Sequence, residues 1–272
     1  MTIVAVGKSS FLARETARHP AASDWLFLSH GEALAHPGWL DGATAVINFA
    51  FPPYFKTQTY DTQSDVDSFL AKMIGARPVH YIMLSSRMVY GQGDKSFGLT
   101  EEQAPEPSNP YATSKLTVER SLESILGAER LTILRLSNIF GFEKGRGSFF
   151  GRMMTSLADS KKIVFDMGAD TQRDFLAVHR LADALAQIAA RPAPGIYNIG
   201  AGFGAKCGDI AAWLIAGYGD GGLEVASPKI RDQFSLDVAK ARKTWNLPVL
   251  TPAQLCEDVT AYGKKLRAAS AI

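Results

Sequence analysis

Cysteine is nearly missing from this chain. Cys207 and Cys256 are the only two in 272 residues, and neither has a CxxC companion. That excludes a disulfide framework or a thiolate zinc site and fits a reducing cytosol. No apolar run approaches the roughly 20 residues that span a bilayer, so a membrane is not expected as a partner. The opening run TIVAV is too short for a signal peptide and has no cleavage region after it. Blocks of lysine or arginine are also absent. The net charge of +2 is dispersed, so nucleic acid is not expected either. The five histidines, His19, His30, His36, His80 and His179, include no i,i+4 pair, so no metal is implied, and His179, beside the start of a helix, reads as structural. No internal repeat or low-complexity tract occurs.

What the chain does have is a series of short apolar runs: TIVAVG, WLFLSH, AVINFAF, VHYIMLSS and LTILRLSN. Runs of this length, bounded by polar residues or glycine and separated by helical patterns, read as parallel strands buried on both faces. The fold class is therefore α/β with a doubly wound parallel sheet. Helices are expected at Ser10 to Arg18, Thr57 to Ala76 and Tyr111 to Ala128, the last with Ser108 or Asn109 as N-cap and Pro110 in its first turn. After about Gly141 the character changes. The stretch GFEKGRGSFFGRMM is followed by shorter strands, KIVFD, RDFLAV and GIYNIG, and by helices at His179 to Arg191 and Asp209 to Tyr218. This predicts two parts, 1–140 as the nucleotide-binding domain and 141–272 as a smaller lobe interleaved with the sheet, with a ligand crevice between them. The Ala/Lys-rich tail from Ala261 is expected to fray.

VGKSSFLAR follows the first strand and opens a helix, where a dinucleotide's pyrophosphate meets backbone N–H groups. Gly7, Lys8, Ser10, Phe11 and Leu12 are the candidates there. The glycine pattern is degenerate, since a GxxGxxG spacing would ask for glycine at 7, 10 and 13 and the chain has Gly7, Ser10 and Ala13. A turn that binds nothing remains open from this segment alone. The second strand ends in Ser29 and His30, where a carboxylate would bond the ribose 2′-OH of NAD. With no carboxylate there, and with Lys8 and Arg14 nearby, NADP(H) is favoured and NAD(H) is the alternative.

NPYATSK places Tyr111 and Lys115 one helical turn apart, with the ammonium close enough to act on the phenol. Such a pair also arises by chance, so the rest of the chain must give it meaning. Ser86 ends the fourth strand 25 residues earlier, at the sheet edge where such folds place their sites. Together Ser86, Tyr111 and Lys115 resemble the catalytic set of the extended short-chain dehydrogenase/reductase superfamily, specifically its nucleotide-sugar epimerase/dehydratase/reductase branch. VINFAF, VYG, RLSNIFG, QRDFLAVHRLADAL, GIYNIG and LDVAKARKTWNLPVLTPAQLCEDVTAY follow that family's order over nearly the whole chain.

The resemblance implies a Rossmann-like fold whose smaller C-terminal lobe binds substrate. It implies Tyr111 as proton donor or acceptor at a sugar hydroxyl or ketone, Lys115 favouring the phenolate and holding the nicotinamide ribose, and Ser86 orienting the same oxygen. It adds Phe49 and Ala50 at the cofactor, and Asn138 and Arg173 at the diphosphate of a nucleotide-sugar substrate. Arg231 and Arg146 are further candidates for that anion; Tyr90 and Phe142 are candidates for the sugar pocket or for core packing. Arg173 has an alternative use in an ion pair with Asp174 or Asp170. Dehydratases of the family carry an Asp-Glu pair directly after the catalytic hydroxyl residue, whereas this chain has Arg87 and Met88. The expectation is an NADPH-dependent reductase of a nucleotide-linked 4-keto-6-deoxy sugar; a 4-epimerase using the same residues and a non-catalytic dinucleotide sensor are the alternatives. By analogy the helices at 57–76 and 111–128 form a homodimer interface, the first bearing the apolar FLAKMI stripe, which has an alternative use in packing against the sheet.

Overall fold

A computed structural model describes residues 2–91 and 96–270. The strands are β1 (Thr2–Val6), β2 (Leu26–Leu28), β3 (Ala43–Asn48), β4 (His80–Ser86), β5 (Ser96–Leu99), β6 (Leu131–Leu136), β7 (Asn138–Phe140), β8 (Lys162–Phe165), β9 (Gln172–Arg173), β10 (Phe175–Ala177), β11 (Gly195–Ile199), β12 (Ala205–Lys206), β13 (Gly222–Val225) and β14 (Phe234–Leu236). The helices are α1 (Phe11–Ala17), α2 (His30–Ala35), α3 (Val66–Ile74), α4 (Pro110–Leu126), α5 (Phe149–Ser160), α6 (Val178–Ala190), α7 (Cys207–Tyr218), α8 (Ala239–Trp245) and α9 (Pro252–Ser270).

Six parallel strands form the main sheet in the order β11-β6-β4-β3-β1-β2. Alternation along each strand sends side chains to opposite faces. Val4, Val6, Val46, Tyr81 and Met83 pack with α3 and α4 through Leu70, Ile74, Val118 and Leu122. Ala5, Ile47, Ile82, Leu84 and Leu134 join the other core with Ala13, Leu181, Leu185 and Leu214. Burial on both faces explains the unbroken apolar runs of the strands. The chain leaves β1 for β2 on one side and returns to β3 on the other, so the order in which strands are added reverses between β1 and β3. At the carboxyl ends of those strands the adjoining turns diverge and leave a crevice.

The smaller lobe holds a four-stranded sheet, β12-β9-β14-β5, and a parallel pair, β13-β8. The two halves exchange strands. β11 comes from the second half and completes the main sheet, whereas β5 comes from the first half and pairs with β14.

Two expectations, the helix over 57–76 and the fraying tail, need correction, and one helix, α5, has no counterpart in the sequence reading. The helix expected over 57–76 is only Val66–Ile74; the preceding stretch holds 3₁₀ turns at Pro53–Lys56 and Thr62–Ser64. Its polar side chains bond locally in place of a helix ladder: Asp61 accepts from the Gln63 N–H at 3.0 Å and from Ser64 at 2.7 Å, and Tyr60 donates to Asp65 at 2.7 Å. The Gly/Arg-rich stretch after 141 leads into a full helix, α5, whose N-cap Ser148 accepts from the Gly151 N–H. The tail does not fray at Ala261, because α9 continues to Ser270 with Leu266 wholly buried. Gly263 and Gly217 make this possible, letting α9 and α7 approach until a Cβ on Gly263 would lie 2.3 Å from the Leu214 carbonyl oxygen. Among the described residues no helix is long and apolar enough to cross a membrane.

Candidate active site

The turn after β1 meets the turn after β3 at Gly7. Its φ is +95°, and a Cβ there would lie 2.5 Å from the Ala50 nitrogen and 2.9 Å from the Phe49 carbonyl carbon. Only glycine satisfies both conditions. Ser10, where the pattern asks for a second glycine, serves as the N-cap of α1 and accepts from the Ala13 N–H at 3.2 Å. Ala13 is completely buried, so the small residue there is needed for packing. After β3, Asn48 fastens its own turn by accepting from the Ala50 N–H at 2.8 Å and donating to the Ala50 carbonyl at 3.1 Å.

A cleft of about 770 Å³ opens from these turns along the carboxyl edge of the sheet. Gly7, Ser10, Phe11, Leu12, His30, Phe49, Ala50, Tyr111 and Lys115, all named from the sequence, line it. Lys8, Ser29 and Ser86 do not. Lys8 is turned to Glu32, with its ammonium 2.7 Å from the carboxylate. Ser29 is the N-cap of α2 in a reciprocal capping box: Glu32 N–H donates to Ser29 Oγ at 3.1 Å and Ser29 N–H to Glu32 Oε2 at 2.7 Å. Bonding to Lys8 first, and then to Ser29, holds the Glu32 carboxyl down at about 2. The absence of a carboxylate after the second strand was thus true only of the strand end. Glu32 supplies one in the first turn of α2 and neutralises the lysine invoked for a 2′-phosphate.

The other wall belongs to α4. Asn109 caps it by accepting from the Ala112 N–H at 3.0 Å, and Pro110 occupies the first turn. Lys115 is buried, and its ammonium donates to the Leu84 carbonyl at 2.7 Å. The same ammonium lies 4.2 Å from the centre of the Phe51 ring, and that ring meets Tyr111 edge-on at 5.2 Å and 81°. Phe51 therefore touches both members of the pair. Sequence reading missed it, although it belongs to the VINFAF motif that was singled out. Behind Lys115, Asp67 is buried and accepts from the Tyr81 hydroxyl at 2.8 Å. Burial pushes its carboxyl up to about 6 against the downward pull of the Lys115 charge.

Ser86 closes β4 and is half-buried; its Oγ accepts from the Met88 N–H at 3.2 Å, which leaves its own O–H to donate. The neighbouring Ser85 lines the cleft, but its hydroxyl is committed to Glu119, which also takes a two-pronged bond from Arg135 at 3.2 and 2.7 Å. Arg87 is buried. It pairs through both terminal nitrogens with the Asp232 carboxylate, one at 2.9 Å, and lies 3.8 Å above the Phe234 ring. The residue after Ser86 thus fastens β4 to the smaller lobe.

A second cleft of about 810 Å³ lies in that lobe, lined by Arg146, Arg152, Arg173 and Arg231 with Asp166 and Asp232. Arg173 forms neither ion pair weighed for it. Its nitrogens donate to the carbonyls of Asp232 and Arg231, both at 3.2 Å, with the Asp232 carboxylate 3.9 Å away. Asp170 is taken by Lys206 at 2.7 Å. Asp174 is buried, accepts from the N–H groups of Ala201, Gly202 and Leu236, and is pushed up to about 6 by burial. Asn138 lies in β7 beside β10 and lines neither cleft. Tyr90 and Phe142 line neither as well. Tyr90 donates to Asn198 at 2.8 Å and Phe142 stacks under Lys265. His179 sits 3.4 Å from Asp258, which also binds Arg180.

Comparison with known proteins agrees with this architecture. Human dTDP-D-glucose 4,6-dehydratase is 30% identical over 145 residues, covering 52% of this chain and 41% of that protein's length. The solved structure of UDP-N-acetylglucosamine 4-epimerase from Methanobrevibacter ruminantium M1, in complex with UDP-N-acetylmuramic acid, superposes with a TM-score of 0.81 at 16% identity, covering 100% of this chain and 99% of that one. RMD from Pseudomonas aeruginosa, complexed with NADPH, superposes with a TM-score of 0.76 at 21% identity, covering 98% and 100%. At those identities the structures establish the shared fold. The sequence pattern of one family matches residues 41–200, from β3 through the end of β11, and on that match over more than half its length this chain belongs to the NAD dependent epimerase/dehydratase family.

Proposed function

We propose that the protein carries out NAD(P)-dependent oxidoreduction at a hydroxyl-bearing carbon of a nucleotide-linked sugar, acting as a reductase of a 4-keto-6-deoxy sugar. The observation that carries this reading is the placement of Tyr111 and Lys115 together in the wall of the cleft that begins at Gly7. The residues present fit a dinucleotide. The cleft's volume lies inside the roughly 300–1,000 Å³ usual for cofactor and small-molecule sites, and its walls combine apolar surface at Phe11, Leu12 and Phe49 with polar groups at Ser10, His30, Asn48, Tyr111, Lys115 and Arg146. When bound, the nicotinamide supplies the hydride exchanged with the sugar carbon.

Tyr111 gives its phenolic proton to the oxygen of the ketone as that oxygen gains charge, and takes it back in the reverse direction. Ser86 ends β4 outside the cleft lining, with its hydroxyl proton free to donate, and its role in orienting the same oxygen rests on the resemblance to the family's catalytic set. Lys115 spends one N–H on the Leu84 carbonyl and has two left for ribose hydroxyls. Arg173 and Arg231, in the arginine-lined cleft, hold the substrate's diphosphate through guanidinium donors suited to phosphate oxygens. Loss of water from the sugar is disfavoured despite the dehydratase relative, because Arg87 is locked to Asp232 and Met88 cannot carry a proton.

One observation favours a second reading. Glu32 neutralises Lys8 and offers a carboxylate near the end of β2, which suits NAD(H), the cofactor that a 4-epimerase retains through oxidation and re-reduction. Absorbance at 340 nm separates the readings: a keto-sugar nucleotide added with NAD(P)H gives a steady fall for a reductase and no net change for an epimerase. A protein that binds the dinucleotide but turns over no sugar nucleotide would be a sensor. The homodimer suggested by analogy is tested by light scattering, where a mass near that of the single 29.4 kDa chain refutes it.

A further inference from the structure

The two clefts share one side chain. Arg146 lines both the cleft that begins at Gly7 and the arginine-lined cleft of the smaller lobe. On the first side its guanidinium carbon lies 4.4 Å from the centre of the Phe11 ring, the residue that opens α1. On the second side it shares a wall with Phe149, Arg173 and Arg231. The base of the side chain is fixed by a tight turn in which the Arg146 N–H donates to the Glu143 carbonyl at 2.9 Å. One guanidinium nitrogen, Nη1, donates to Glu143 Oε2 at 3.1 Å, and Ser148 donates to the same oxygen at 2.6 Å. A guanidinium has five N–H donors, so most of this one's are unengaged among the described residues, and the side chain is 44% exposed. Stacking on Phe11 and pairing with a buried carboxylate hold the charge in place without using up its donors.

Resting on the reading above, in which one cleft takes a dinucleotide and the other a nucleoside diphosphate sugar, we propose that Arg146 is a shared anion-binding residue that donates to phosphate groups of both ligands and screens them from each other. Both ligands carry a pyrophosphate, and two such anions on either side of one wall repel each other unless a cation stands between them. The position also accounts for the reduced glycine pattern: where Ser10 occupies the turn, a guanidinium reaching from the other lobe adds a phosphate contact that the backbone turn does not need to make. The dinucleotide and substrate sites are in this way coupled through one charge.

The test measures binding on the whole protein, with NADH and NADPH titrated by fluorescence and UDP, dTDP, GDP and CDP by calorimetry, each alone and with the other site saturated. Arg146→Gln is expected to weaken the dinucleotide and the nucleoside diphosphate each by about tenfold, the loss of one charge-assisted contact. It is also expected to make each ligand weaken the other more than in the wild type. Arg231→Gln, which alters the second cleft alone, is expected to weaken only the nucleoside diphosphate. Arg146→Lys keeps the charge and the Glu143 pair but loses the fork, and is expected to recover part of both affinities; a purely structural role would not separate the Lys and Gln variants in this way. If Arg146→Gln lowers the unfolding midpoint, Arg146→Lys carries the test, with both affinities reduced about threefold. Loss of affinity for only one ligand, or for neither, overturns the proposal. A wild-type protein that binds no dinucleotide at all refutes the underlying functional reading, an outcome distinct from either.

Discussion

Asp67→Asn tests whether a buried carboxyl behind Lys115 is held at a cost. In the folded chain the Asp67 carboxyl is raised from 3.8 to about 6, chiefly by burial. The folded state therefore binds the proton more tightly than the unfolded chain does. Its stabilising contribution is complete below the unfolded value near 4 and is lost as pH rises through the folded value near 6. A difference of about two units at 1.36 kcal/mol each makes the expected loss about 3 kcal/mol between pH 4 and pH 7. Asparagine has nearly the same shape and keeps an oxygen for the Tyr81 hydroxyl, but does not titrate. The stability difference between variant and wild type should therefore move in the variant's favour by about 3 kcal/mol across that interval, read from urea unfolding midpoints at half-unit steps of pH. Asp174, also pushed up to about 6, titrates in both proteins and cancels from the difference. A difference that stays constant from pH 4 to pH 7 would refute the claim that the carboxyl is raised by burial.

Three other outcomes are expected. Tyr111→Phe keeps the edge contact with Phe51 and loses the proton, so turnover should fall by about 10²–10⁴-fold with the unfolding midpoint unchanged; turnover equal to wild type on every sugar nucleotide that reacts would sink the proton-transfer role. Gly7→Ala forces a Cβ to within 2.5 Å of the Ala50 nitrogen at a positive φ and should cost about 2–5 kcal/mol in urea unfolding, together with dinucleotide affinity. Glu32→Gln removes the charge that pairs with Lys8, so the ratio of NADPH to NADH affinity should rise several-fold by fluorescence titration; an unchanged ratio would place the ribose away from this pair.

The main sheet was legible because its strands are buried on both faces, which leaves apolar runs too short for helices and too continuous for exposed strands. Tyr111 and Lys115 were legible because Pro110 and an Asn cap fix the helix register on which their spacing depends. What could not be read concerns partners far apart in the chain. Arg87 and Asp232 lie 145 positions apart, and nothing in either neighbourhood announces the pair. Arg173 has acids next to it in sequence, but its bonds go to the carbonyls of Arg231 and Asp232, nearly sixty positions away. Lys8 reads from the sequence as free for a ligand phosphate because its partner Glu32 lies beyond the end of β2, in the first turn of α2. Phe51 was passed over because an aromatic side chain after a strand reads as packing, and its contact with an ammonium depends on how the turn folds back over α4. The length of α3 failed for a local reason: several Asp, Ser and Thr side chains compete with the helix for backbone hydrogens.

The exchange of strands between the two halves bears on how the chain is made. β6 is buried along its whole length, yet its outer neighbour β11 is encoded some sixty positions later. During synthesis its unpaired backbone groups and its row of leucines and isoleucine wait at an open border until Gly195–Ile199 leaves the ribosome. The first half of the chain can therefore not mature ahead of the second, and a nascent chain stalled between these points would be prone to aggregate or to need a chaperone's cover. Cutting the gene at the apparent boundary near residue 140 would make that interval permanent.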